Sequence, residues 1–141
     1  MIDSVRLKLE QGQYIEVEEI CKEMSAFDFR DILMNIAYET ENIYVYGFIA
    51  HMTRKKENIE WLKLAVDILL NPLCFIEGAY SLALFHAREL LNIDRNVENL
   101  ERILFFYNIP EKLVDDAEAY CIAEEILAIE TDNKVALQIK H

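Results

Sequence analysis

Four side chains able to do chemistry fall inside the stretch CFIEGAYSLALFHAREL: the Cys74 thiol, the Glu77 carboxylate, the Tyr80 phenol and the His86 imidazole. A cysteine with a histidine can form a nucleophilic pair, in which the imidazole takes the thiol proton and the thiolate attacks. The spacing speaks against that chemistry. On a helix read from Ile76 to about Leu91, Cys74 stands before the first turn, some three turns from His86, so the two meet only if the loop folds back. The surroundings of Cys74, NPLCFIEG, are apolar and acidic, which raises a thiol pKa where a nucleophile needs it lowered. Cys74 is therefore expected to be a buried structural thiol. His86 shares a helical face with Ala79, Leu82, Ala83, Ala87 and Leu90. Alanines at every fourth position make a flat strip that another helix can approach closely, and His86 is expected as a core or interfacial histidine bonded to a neighbouring helix.

Other chemical signatures are missing from the chain. Gly47 and Gly78 are isolated, so no GxxxxGK[ST], GxGxxG or GxSxG loop can be drawn. His51 and His141 complete no HxxxH or HExxH pattern, and Cys21, Cys74 and Cys121 form no CxxC pair. The carboxylate pairs Glu18-Glu19, Asp115-Asp116 and Glu124-Glu125 diverge by about 100° on a helix and do not converge on one substrate atom. Arg54-Lys55-Lys56 sits where a helix ends, a favourable place for cations. The expectation is no catalytic residue, no metal and no cofactor.

The elements that carry these residues read as helices throughout. Three glycines and two prolines are too few for the turns of an all-β chain. Apolar stripes recur at helical spacing in VRLKLE, in Tyr14, Val17, Ile20, Cys21 and Met24, in Phe29, Ile32, Leu33, Ile36 and Ala37, and in Ile59, Leu62, Ala65, Val66 and Leu69. Ser25, Asn42, Asn58 and Asn96 stand where N-caps belong, while Gly12 and Asn71-Pro72 stand where helices stop. Only NIYVYGFI, rich in β-branched and aromatic residues, reads ambiguously. Short links force successive helices antiparallel. The predicted fold is all-α: antiparallel helix pairs stacked like an α-solenoid of the tetratricopeptide or HEAT kind, in one domain over residues 1–141. Segments starting at Ile36, Phe75 and Asp115 echo one another at intervals of about 40 residues. AEAYCIAEEILAIETDNKVAL resembles the second helix of a tetratricopeptide repeat with its exit turn, without the proline usual there.

The net charge is −12, from 26 acidic against 14 basic residues, and the segment from Asn96 to His141 holds ten of those acids. Such a surface repels nucleic acid and anionic membranes and attracts cationic proteins. No secretory leader or membrane span is expected, and the cysteine pattern fits a reducing cytoplasm.

Seven tyrosines supply contact area with a polar tip. Tyr38, Glu39, Glu41 and Tyr44 join two predicted helices and mix aromatic with acidic groups. Glu77 and Tyr80 hold the matching place one repeat later, and Asp115 and Asp116 begin the third copy. These eight are the expected partner-binding residues. The phrases MNIAYETENIYVYGFIAHM, NPLCFIEGAYSLALFHAREL and NIPEKLVDDAEAYCIAEEIL, spanning roughly Met34 to the end, resemble small helical immunity proteins of bacterial polymorphic toxin and contact-dependent inhibition systems. The resemblance implies an antitoxin that binds a cognate, basic toxin domain, often a nuclease, and excludes its substrate. The alternatives are a helical-repeat adaptor and an acidic nucleic-acid mimic that binds another protein.

Overall fold

In the computed structural model, which describes residues 1–139, the apolar stripes become nine α-helices that hold 73% of the described residues, with no strand among them. His141 lies outside the described residues. The helical content agrees with the all-α expectation, and the ambiguous NIYVYGFI is helical from Tyr44 on. The chain divides into two compact units, Met1–Ala79 and Tyr80–His141.

The first unit contains α1 (Ile2–Glu10), α2 (Tyr14–Lys22), α3 (Ala26–Thr40), α4 (Tyr44–Met52) and α5 (Ile59–Leu70). Ser25 caps α3 as its position suggests, its hydroxyl accepting the Asp28 N–H at 3.1 Å. Asn42 acts one residue outside the cap of α4, its side chain accepting the Tyr44 N–H at 3.2 Å. Asn58 occupies the N-cap of α5 but makes no capping bond; its amide donates instead to the Thr53 carbonyl. Helix α1 packs on α2, α3 and α4, α3 packs on α4 and α5, and α4 packs on α5.

The core of this unit is built on aromatic rings. Phe48 receives Tyr14 at 5.6 Å and Trp61 at 5.8 Å, both edge-on, and Phe29 at 6.2 Å. Edge-to-face geometry sets ring hydrogens against a neighbouring π-face and adds roughly 0.5–1.5 kcal/mol per pair beyond burial. Leu33, Ile36, Ile49 and Ile68 fill the spaces around the rings and are fully buried.

Residues 71–78 form turns rather than the first part of the next helix. The Leu73 N–H donates to the Ile68 carbonyl at 3.0 Å, and Leu73 is fully buried. Cys74 and Phe75 then face solvent. The expectation of a buried Cys74 is thus corrected: where the chain turns, burial no longer follows helical spacing, and the inward place goes to Leu73. Gly78 has φ +87°, a left-handed conformation that suits glycine, and it holds the start of α6 back to Ala79.

The second unit takes up α6 (Ala79–Ile93) from Tyr80 and adds α7 (Val97–Asn108), α8 (Asp116–Ile129) and α9 (Lys134–Ile139). Helix α8 packs on both α7 and α9. Small side chains are prominent at its buried positions: Ala83, Ala87, Ala119, Ala123 and Ala136 are all fully buried. Polar groups finish the helix ends. Asn96 accepts the Asn99 N–H at 2.8 Å, and Asn133 accepts the Ala136 N–H at 3.0 Å. Buried Asn99 donates to the Asp94 carbonyl at 2.8 Å and to the Leu90 carbonyl at 3.4 Å. Of the α6 strip, Ala83, His86, Ala87 and Leu90 are buried as expected, whereas Leu82 is exposed.

Candidate functional site

Four of the expected partner-binding residues gather at the link between α3 and α4. Tyr38 projects from the last turns of α3 and keeps 57% of its surface in solvent. That is high for a ring flanked by buried Ile36 and Ala37, and it follows from the helix turning Tyr38 away from the core. Glu39 is exposed and meets Arg6 of α1 at 3.1 Å, while the same guanidinium holds Asp3 at 2.7 Å. Glu41 closes α3 with φ +54°, its N–H donating to the Ala37 carbonyl at 2.8 Å. Left-handed backbone at a C-cap is ordinary for glycine but costs a residue with a side chain about 1 kcal/mol. Such local strain clusters at functional positions.

Tyr44, the first residue of α4, is half-buried, and its carbonyl accepts the Tyr14 hydroxyl at 3.1 Å. That bond needs Gly47, because a β-carbon there would run into the Tyr14 oxygen. Burial pushes the Tyr14 phenol above its ordinary pKa. On the same side of α2, Glu18 meets His51 at 3.3 Å and Lys55 at 3.4 Å. Burial alone raises a carboxyl pKa, but here the hydrogen bonds from His51 and Lys55 and the Lys55 charge outweigh it and hold Glu18 below its usual range. Lys55, from the basic run after α4, therefore serves an ion pair as well as the helix end. The Tyr14–Tyr44 bond ties the start of α4, and with it the acidic, aromatic link, to α2, while the Glu18 contacts tie down the far end of α4.

The other four residues stand elsewhere. Glu77 is exposed in the turns before α6. Tyr80 belongs to the second unit, half-buried, with its ring edge-on to Phe105 at 6.4 Å. Asp115 is the N-cap of α8 and accepts the Glu118 N–H at 2.8 Å. Asp116 accepts the Tyr107 hydroxyl at 3.0 Å and Lys112 at 2.8 Å. The Asp116 hydrogen bond pushes the Tyr107 phenol up to about 12, while Lys112 and Tyr107 together hold the Asp116 carboxyl below its usual value. Asp115 and Asp116 thus have work inside the fold, although both remain exposed.

His86 is buried, and its Nδ1 meets Glu89 at 2.7 Å one turn along α6. Among the described residues no three His, Cys, Asp or Glu side chains are grouped to hold a metal ion. No helix among them is long and apolar enough to cross a membrane.

One feature of the first unit was not foreseen. A cleft of about 500 Å³ opens where the end of α2, the start of α3 and the start of α5 meet. Cys21, Met24, Phe27, Phe29, Trp61 and Leu64 form its apolar lining, with Lys22, Arg30 and Glu60 beside them. Phe27 is 72% exposed. The sequence held one signal of it: Phe27 and Phe29 are two apart on a helix, so they cannot share a face, and only one can reach the core. In comparisons with family models, curated proteins and solved structures, nothing matches this chain.

Proposed function

We propose that this chain is a non-catalytic immunity protein that acts in the cytoplasm, binding a basic toxin domain and blocking the surface that the toxin uses on its substrate. The observation that carries the reading is the α3–α4 link, where an exposed tyrosine stands among exposed carboxylates on a chain of net charge −12. Carboxylates of this kind speed encounter with a cationic surface, and tyrosine supplies the area that slows dissociation. Tyr38, Glu39, Glu41 and Tyr44 are the core of the proposed interface. The resemblance to helical immunity proteins over the same segments supports it. Glu77 in the first unit, and Tyr80, Asp115 and Asp116 in the second, are further proposed partner contacts, each within its own unit.

Growth protection tests the reading. Co-expression with a candidate basic toxin domain taken from a neighbouring gene restores growth of a host that this domain alone arrests, and Tyr38→Ala with Glu41→Lys removes the protection while the variant stays helical. Continued arrest in the presence of the folded wild-type chain contradicts the proposal. A second reading, a helical adaptor that holds a peptide, is favoured by the apolar cleft. It expects binding through that cleft with the α3–α4 link dispensable.

A further inference from the structure

We infer that the α1–α2 hairpin is a strap that swings off α3, α4 and α5 as one body, and that a cation drawn to Glu39 loosens it. Little apolar surface holds the hairpin down. Val5, Leu9 and Val17 are the residues of α1 and α2 that are buried outright, whereas α3 alone buries Phe29, Leu33, Ile36 and Ala37. Ile2, Ile20, Cys21 and Met24 reach the same core only half-buried. The end of α2 is loosely packed, since the cleft of about 500 Å³ opens between it and the starts of α3 and α5. Polar pins add to this hold. Tyr14 donates to the Tyr44 carbonyl at 3.1 Å, Glu18 meets His51 at 3.3 Å and Lys55 at 3.4 Å, and Arg6 meets Glu39 at 3.1 Å. Each pin joins the hairpin to α3, to α4 or to the residues just after α4. Asp3, the other partner of Arg6, is on α1 itself and travels with it. A segment with few buried apolar groups and part-exposed polar ties opens locally at less cost than global unfolding.

Both ends of the hairpin suit movement as a body. At its tip, Gly12 takes φ +73° and the Gln13 N–H donates to the Lys8 carbonyl at 2.8 Å, so the hairpin's own bonds close the turn. At its root, the Met24 N–H donates back to the Cys21 carbonyl at 3.1 Å, while Ser25 caps α3. Rotation between Met24 and Ser25 therefore leaves both helices whole. Glu39 pins the strap and also stands on the α3–α4 link, so the coupling to a cation rests on the reading of that link as the partner surface. A cation binds Glu39 better once the Arg6 guanidinium has left, and that preference shifts the strap toward its open form.

Amide hydrogen exchange of the full chain, followed by mass spectrometry without any toxin, tests the strap. Amides in the middle of α1 and α2 should exchange about tenfold or more faster than those of α5. Glu18→Ala should speed the amides of both α1 and α2 by about tenfold, and Glu39→Ala should speed both by about threefold, with α5 unchanged. Fraying of separate helix ends cannot carry an effect from Glu18 on α2 into α1. Hexa-arginine, the probe for a partner's cation, should speed the same amides in the wild-type chain but not in Glu39→Ala. Three results overturn the inference: hairpin amides as slow as those of α5; a Glu18→Ala effect confined to α2; or hexa-arginine acting alike on the two chains. Any of these leaves the immunity reading to the growth test, whereas a strap that opens as expected on a chain that gives no protection fails that reading alone.

Discussion

The two units solve the same packing problem with different side chains. Met1–Ala79 surrounds Phe48 with Tyr14, Phe29 and Trp61, and its stability comes from the area those rings remove from water. From Tyr80 onward, alanines stand among leucines and isoleucines at fully buried positions, and the charged groups are arranged as clamps. Arg88 grips Glu118 at 2.6 and 3.0 Å, and Arg95 grips Glu125 at 2.6 and 2.9 Å, each with two hydrogen bonds. Large rings tolerate loss of contact badly. Close-set alanines tolerate added volume badly. The first unit should therefore be most sensitive to lost volume and the close-set alanines of the second to added volume.

The largest expected effect is at Phe48. Phe48→Ala empties the centre of the aromatic cluster and should cost about 3–5 kcal/mol. The matching test in the second unit runs the other way, since Ala123→Leu forces volume into a fully buried site and should cost about 1–3 kcal/mol. Denaturant unfolding measures both. Near-neutral behaviour of Phe48→Ala, or of Ala123→Leu, breaks the contrast.

Next is a coupled pair inside the first unit. Gly47→Ala sets a methyl group against the Tyr14 hydroxyl and should cost roughly 1–3 kcal/mol. Tyr14→Phe removes that oxygen, so the double variant should recover part of the loss. Strict additivity in the double-mutant cycle means that the two residues do not constrain each other.

How much of this was legible in the sequence varies from residue to residue. The helices were, because the stripe of Phe29, Ile32, Leu33, Ile36 and Ala37 and the cap at Ser25 are local signals, and all of the stripe but the half-buried Ile32 is buried. Cys74 was misread because periodicity says nothing about residues 71–78, where hydrogen bonds of the turn decide which side chain points in. The α3–α4 link could be found, since Tyr38 and Glu41 follow one another in the chain. The second role of Asp115 as a helix cap was hidden behind its charge. The cleft was out of reach for a different reason. Trp61 lies far along the chain from Cys21 and Phe29, and the three meet only when three helices pack.

A smaller effect concerns strain at the proposed interface. Glu41→Gly relieves left-handed backbone at the end of α3 and should stabilise the fold by about 1 kcal/mol while weakening partner binding. Thermal melts together with a binding assay check both signs. A gain in stability with no loss of binding removes Glu41 from the interface and leaves its conformation as a matter of helix termination alone.

The finest test addresses the polar side of the comparison through pH. The Tyr107 phenol is raised to about 12 by the bond it donates to Asp116, so the folded protein keeps this proton where the unfolded chain has lost it. The contribution to stability is therefore present below the ordinary phenol range near 10 and is lost as pH rises through about 12. Asp116 is the opposite case. Its carboxyl is held low by Lys112 and Tyr107, so its contribution is present above the ordinary carboxylate pKa and is lost as pH falls through the lowered value. Ultraviolet titration should find one of the seven tyrosines ionising last, and Asp116→Asn should return it toward the others. An unchanged curve in Asp116→Asn shows that the bond does not govern Tyr107.

The central claim is that the acidic, aromatic link of the first unit captures a basic partner. Association and dissociation rates with the cognate toxin domain, measured across salt concentrations, test it most directly. The Debye length falls from about 10 Å at 0.1 M to about 3 Å at 1 M, so steering by exposed carboxylates fades over that range. The account predicts association that slows steeply with salt and dissociation that changes little, because Tyr38 and Tyr44 hold the formed complex. Charge reversal at Glu39 and Glu41 should slow association far more than reversal at Glu124 and Glu125 on α8. A salt-independent association rate, or equal losses from the two pairs of reversals, contradicts the account and assigns the acidic surface to solubility.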